Sequence, residues 1–297
     1  MSTKLINKFH VIPGVHETGV TRRNDPAAQK ADEEFDHELH VKIRNRDRSR
    51  CRACGIAIKE DPEVAGGLEI HHIDHNHANN DESNLVLLCP MCHQIQTINQ
   101  LTLDKGKRVE ARIMKLIYLP DINQEDLNLL TWILAVTLYR CQNTTMDDPH
   151  IEEINKVREN ANSIIQDLLN CTQFPDDYFR YSICTNDEKN EEIAPDAYEI
   201  ITKINCADES GRSDLSLLGN SLLDIKKKDQ KKYNERDKWL GGLRIFFNIS
   251  DENEPDVLES MFGGMVPRLS EMATLFPGKN WIESWSSIAE GIRTNVL

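Results

Sequence analysis

Apolar and polar positions change their rhythm near residue 118. Before it, two short runs, LEIHHI at 68–73 and NLVLLC at 84–89, are bounded and rich in β-branched and leucine side chains, which predicts two strands. Pro90 stands where a first helical residue would, so a helix is expected through MCHQIQTINQ. The local order is then strand, long polar loop, strand, helix. Ahead of it, residues 1–36 carry PG, NDP and ADEEFD clusters without sustained periodicity, which predicts an irregular arm leading into a short helix near 32–46.

Past residue 118 the period becomes helical. Leu127, Leu130, Leu134 and Leu138 recur along one face behind a cap at Asp121 or Asn123, predicting a mostly buried helix. Ile151, Ile154, Val157, Ala161, Ile164 and Leu168 alternate with charges over 150–170, the pattern of an amphipathic surface helix. Further helices are expected near 196–206, 214–228, 233–249 and 280–294. The fold class expected is α+β, with a small ββα unit followed by a mainly α-helical domain. The division is an N-terminal arm at 1–40, a small ββα domain at 41–110 and a helical domain at 111–297.

Composition narrows the function classes. With 297 residues, 39% hydrophobic and 28% charged, the chain has enough apolar material for a core. The net charge of −14 is unevenly shared: residues 1–110 hold 15 Lys and Arg against 17 Asp and Glu, and residues 111–297 hold 20 against 32. A phosphate backbone is therefore expected to meet the N-terminal part, and a protein partner the acidic remainder. The start, MSTKLINKFHVIPG, lacks the apolar core of a secretory signal, and LLTWILAVTLY at 129–139 is too short to span a bilayer. A cytoplasmic protein without membrane insertion is the expectation.

Eight cysteines in such a compartment suggest metal ligation or burial more than disulfides. Cys51 and Cys54 form one CxxC and Cys89 and Cys92 a second, 34 residues apart. Two such knuckles suit a tetrahedral structural Zn²⁺ site. The other four, Cys141, Cys171, Cys184 and Cys206, are scattered and read as small hydrophobes.

Between the knuckles, EIHHIDHNHANN at 69–80 concentrates four histidines and three asparagines. Together, CRACG, LEIHHIDHNHANN and ESNLVLLCPMCHQ resemble the zinc-containing HNH endonuclease family over roughly residues 44–97. The resemblance implies a ββα-metal fold and metal-dependent hydrolysis of a phosphodiester. It implies that His71 and His93 hold a catalytic divalent ion (Mg²⁺, Mn²⁺, Zn²⁺ or Ni²⁺), that His72 is the general base, and that Asn84 orients it. A reference pKa of about 6.5 suits a histidine to that base role. Where some members place a third ligand, four residues after the last histidine, this chain has Thr97. His75 and His77 read as loop residues, and Asp74 as a possible supplement to the site.

Lys42, Arg44, Arg46, Arg48, Arg50 and Arg52 alternate along KIRNRDRSRCR and form the expected contact surface for DNA or another nucleic acid. KKKDQKKYNERDK at 226–238 interleaves acids with its cations and reads as a solvated helical face. A second, shorter resemblance, in LIYLPDINQEDLN at 116–128 and SDLSLLGNSLLDI at 213–225, is to the IcmJ/DotN adaptor subunits of Dot/Icm type IVB coupling complexes. It implies a non-catalytic zinc adaptor that docks on a coupling ATPase in secretion or conjugation.

Overall fold

The computed structural model describes residues 8–16, 37–56, 67–99, 113–142, 144–173, 202, 204–206 and 215–250. Its class is α+β: helices surround two small antiparallel sheets. The predicted hairpin is there. Strand β1 (Glu69–His72) pairs with β2 (Leu85–Leu88) in the register Glu69↔Leu88 to His72↔Leu85. Helix α1 (His37–Arg46) precedes the hairpin and α2 (Pro90–Gln96) follows it, with Pro90 in the first turn, where its missing N–H costs nothing. Both helices pack on β2, which is buried along its whole length. That explains LVLL as a continuous apolar run with no alternation.

Helix α3 (Gln124–Gln142) begins where the sequence places its cap: Asn123 accepts from the Asp126 N–H at 2.8 Å, and its own amide donates back to the Asp126 carboxylate. Helix α4 (Ile151–Leu169) packs against α3 through Ile154, Val157, Ala161, Ile164 and Leu168, all buried, as their spacing predicts. Beneath them lies a sheet the periodicity did not reveal. Strand β3 (Met114–Tyr118) pairs with β4 (Leu243–Phe247), more than a hundred residues away.

The predicted helix at 233–249 is therefore corrected. Helix α5 (Ser216–Lys228) is followed by two short turns, α6 (Gln230–Asn234) and α7 (Arg236–Leu240), and the chain then turns at Gly241 into β4. A side chain at Gly242 would collide with Tyr118 and Pro120, at 2.6 and 2.8 Å, so the turn needs that glycine to bring β4 against β3. Most of the helix expected near 196–206, and all of that near 280–294, lies outside the described residues.

The described stretch 8–16 of the N-terminal arm is irregular but held by specific contacts. Its residues 8–16 bury Val11 and Val15 and exchange backbone hydrogen bonds with Arg52, Ile95 and Ile98. Gly14 passes so close to α2 that a Cβ there would sit 2.9 Å from the Gln96 carbonyl oxygen. Buried residues from Val11 to Ile249 form one apolar cluster that includes all four knuckle cysteines. Among the described residues no helix is long and apolar enough to cross a membrane.

Candidate metal centres and nucleic-acid site

Cys51, Cys54, Cys89 and Cys92 converge, with their sulfurs within 4.8 Å of one another and all four side chains buried. Gly55 (φ 81°) closes the first knuckle, its N–H reaching the Cys51 carbonyl at 2.9 Å. Cys54 Sγ and Cys89 Sγ are 3.7 Å apart. A tetrahedral tetrathiolate with Zn–S bonds of about 2.3 Å has edges of roughly 3.8 Å. Burial, then contact with neighbouring thiols, pushes Cys89 and Cys92 up; Cys51 is pulled down against its own burial by hydrogen bonds from the other three. Thiols so crowded cannot all ionise unaided, and a divalent cation would compensate the charge. The donors fit a structural zinc.

Two further groups face this centre from helix α3, and the cysteine spacing gave no sign of them. Trp132 Nε1–H donates to Cys89 Sγ at 3.3 Å and Asn128 Nδ2–H to Cys92 Sγ at 3.2 Å. The Asn128 oxygen accepts from Gln124, whose amide also bridges both backbone groups of Ile245 in β4, at 2.8 and 2.9 Å. A buried polar chain thus runs from a thiolate to the second sheet.

The basic run is divided in its use. Asp47, buried just after α1, binds Arg46 at 2.7 Å and Arg52 at 3.0 Å and accepts the Leu87 N–H at 3.0 Å. Arg46 also reaches the Glu82 and Leu85 carbonyls, and Arg44 the Leu68 carbonyl at 3.1 Å. These three guanidiniums staple α1 to the hairpin, a structural task beside the phosphate contact expected of the run. Lys42 pairs with Glu82; Arg48 and Arg50 are exposed.

The histidines separate by strand alternation. On one side of β1, His71 lies near the rings of His93 and His75, at centroid distances of 5.1 and 5.0 Å. On the other, His72 Nε2 meets Asn80 Oδ1 at 2.9 Å, beside the His77 ring. His71 Nε2 is buried and has no hydrogen-bond partner. Burial, and then the neighbouring imidazoles, hold His71 well below the ordinary histidine range, so it stays neutral and able to act as a ligand. His93 Nδ1 is 2.6 Å from Glu69 Oε2, a carboxylate contact of the kind that orients a metal-binding imidazole through its second nitrogen. A divalent ion fits here: one orphaned buried nitrogen and one carboxylate-oriented ring. Thr97 bonds back to the His93 carbonyl at 3.5 Å.

Asn84 works at one remove from His72. Its oxygen accepts the Asp74 N–H at 3.0 Å, and its amide donates to Asp74 Oδ1 and the Asn79 carbonyl at 2.8 and 2.9 Å. Although burial raises the Asp74 pKa, hydrogen bonds from Asn79, the Asn76 N–H and Asn84 bring it below its usual value. The loop so fixed carries Asn80 to His72. At its apex His75 adopts φ 60°, a left-handed conformation that costs a side-chain-bearing residue energy. Sequence reading missed Glu69, Asn80, and His16 of the arm, whose Nε2 lies 3.1 Å from the His75 carbonyl oxygen. A carboxylate two residues before His71, on the same strand face, was the available signal for Glu69.

Knuckles, hairpin, short helix and paired histidines together recur in known proteins. Residues 51–97 match the HNH endonuclease family. The chain is also 44% identical over 46 residues to H-N-H endonuclease F-TflIV of Escherichia phage T5. That likeness covers 16% of this chain and 19% of the phage protein. The matched segment contains all four cysteines, both paired histidines, Asn84 and His93; helices α3–α7 lie outside it.

Proposed function

We propose that the protein is a metal-dependent HNH nuclease that hydrolyses a phosphodiester bond in DNA or another nucleic acid. The observation that carries this reading is the buried, partnerless Nε2 of His71 beside a His93 ring held by Glu69. An apolar or hydrogen-bonded side chain would serve a purely structural hairpin better, because an orphaned buried nitrogen costs about 1–3 kcal/mol. In this reading His71 and His93 would hold the divalent ion, which would supply Lewis-acid stabilisation of the charge on the phosphate and the departing oxygen. His72 takes the proton of the attacking water. Donation of the Nε2 proton to Asn80 Oδ1 would put the basic lone pair on Nδ1, and Asn84 keeps that arrangement by fixing the loop.

Incubation of the purified protein with plasmid and Mg²⁺, Mn²⁺ or Ni²⁺, beside His72→Ala, tests it. Metal-dependent nicking that the variant loses is expected; absence of nicking, or nicking undiminished in the variant, would overturn the reading. The acid surplus of residues 111–297 favours a protein partner as a second role. For the adaptor reading that partner is a coupling ATPase, and the two should co-purify through this region.

A further inference from the structure

Beside the histidine loop lies a cleft of about 670 Å³, built from distant parts of the chain. One wall is the loop of the HNH domain, with Asp74, His75 and His77; the opposite wall is formed by α5–α7, with Lys226, Gln230 and Arg236. That second wall belongs to a segment whose charge opposes its surroundings. Residues 226–238 carry seven Lys and Arg against three Asp and Glu, within a region that is acidic overall. Two of the three acids have local tasks. Asp229 caps α6 by accepting the Lys232 N–H at 2.9 Å, and Glu235 pairs with Lys238 at 3.3 Å.

The expectation of a merely solvated helical face is corrected here, because the wall is built around buried Tyr233. Its ring lies under Arg236 at 4.4 Å and near Lys226 at 5.1 Å, and its hydroxyl accepts the Val15 N–H at 2.9 Å. Arg236 is braced on the Pro13 carbonyl at 3.0 Å and Lys226 on that of Val15 at 3.3 Å. The arm thus fixes two cations beside the cleft, while Lys227, Lys228 and Lys231 of the same helices are exposed.

We propose that the wall formed by α5–α7 is the backbone-gripping half of the nucleic-acid site. The strand cut at the histidines runs through the cleft with its phosphates against Arg236 and the α5–α6 lysines, and with Gln230 and Asn234 against its polar edges. This rests on the nuclease reading and locates its substrate contacts outside the HNH domain. Fixed cations and neutral amides opposite the loop that follows the histidine strand suit a polyanion read by its backbone, with affinity that falls steeply as salt rises.

Anisotropy titrations with labelled single-stranded and duplex DNA, in the His72→Ala protein without added divalent metal, test it. Gln230→Glu with Asn234→Asp is close to isosteric at two exposed positions and places two negative charges in the cleft. It should weaken binding on the order of tenfold at low salt, and Arg236→Gln should lower the salt slope by about one. Circular dichroism checks the folding of Arg236→Gln; should it misfold, the doubly charged variant decides. Unchanged affinity in that variant, or no DNA binding by its parent, overturns the cleft assignment even where wild-type protein nicks plasmid. A wild-type protein that never nicks, yet binds DNA through this wall, overturns the nuclease reading and leaves the cleft assignment standing.

Discussion

At the scale of single residues, Glu69 and His75 decide most about the histidine site. Glu69 touches no ion in the proposed arrangement; it holds the His93 ring through Nδ1. Glu69→Gln should therefore leave the fold intact and weaken Mn²⁺ or Ni²⁺ binding by about 10–100-fold, as is typical for such supporting carboxylates. Calorimetric titration of the zinc-loaded protein reads this directly, and an unchanged affinity would remove Glu69 from the site. His75 speaks through pH. Burial, then the Lys226, His16 and Arg236 charges, push its pKa down to about 3. The unfolded chain takes up that proton near pH 6.5, so the unfolded state binds more protons below it. Stability contributed by neutral His75 is complete above about pH 6.5 and is lost progressively as pH falls toward 3. Melting temperature against pH should slope less steeply in His75→Gln than in the parent between pH 6.5 and 5; equal slopes would contradict the half-buried, neutral assignment.

Elements of secondary structure were legible in proportion to how locally they are determined. The hairpin, the proline-led α2, and the leucine and isoleucine faces of α3 and α4 each follow from neighbours a few positions away, and each is present. Strands β3 and β4 were not legible, because LRIFF is a short, mostly apolar run that a buried helix could equally carry. Only pairing with Met114–Tyr118, across more than a hundred residues, settles it as a strand. The same non-locality hid the second halves of both sites. The cysteine frame announced a metal centre, but nothing in its spacing could show that Trp132 and Asn128 would donate to its sulfurs. Substituting Asn128 with Leu keeps the shape and removes the donor to Cys92. The loss should cost about 1–3 kcal/mol of stability and speed zinc transfer to a chelator. A variant as stable and as zinc-retentive as the parent would mean the contact is incidental.

Across the whole molecule, the zinc centre sits inside the apolar cluster that also contains α3, α4 and the second sheet. Sequence organisation points to a small zinc domain followed by a helical one. The packing raises a different thermodynamic expectation, because the thiolates are covered by Trp132, whose indole is fully buried in the helical part. Removing the ion would leave clustered thiols beneath a buried helix, and binding free energy of a structural zinc of this type is also folding free energy. Zinc release should therefore coincide with loss of helix in α3 and α4 and with exposure of Trp132, in one cooperative transition. Chelator titration followed in parallel by zinc-dye absorbance, circular dichroism and tryptophan emission reads all three. A first transition in zinc alone, with the helices surviving it, would mean that the HNH domain unfolds independently; coincident curves would make the helices part of the metal site's fold.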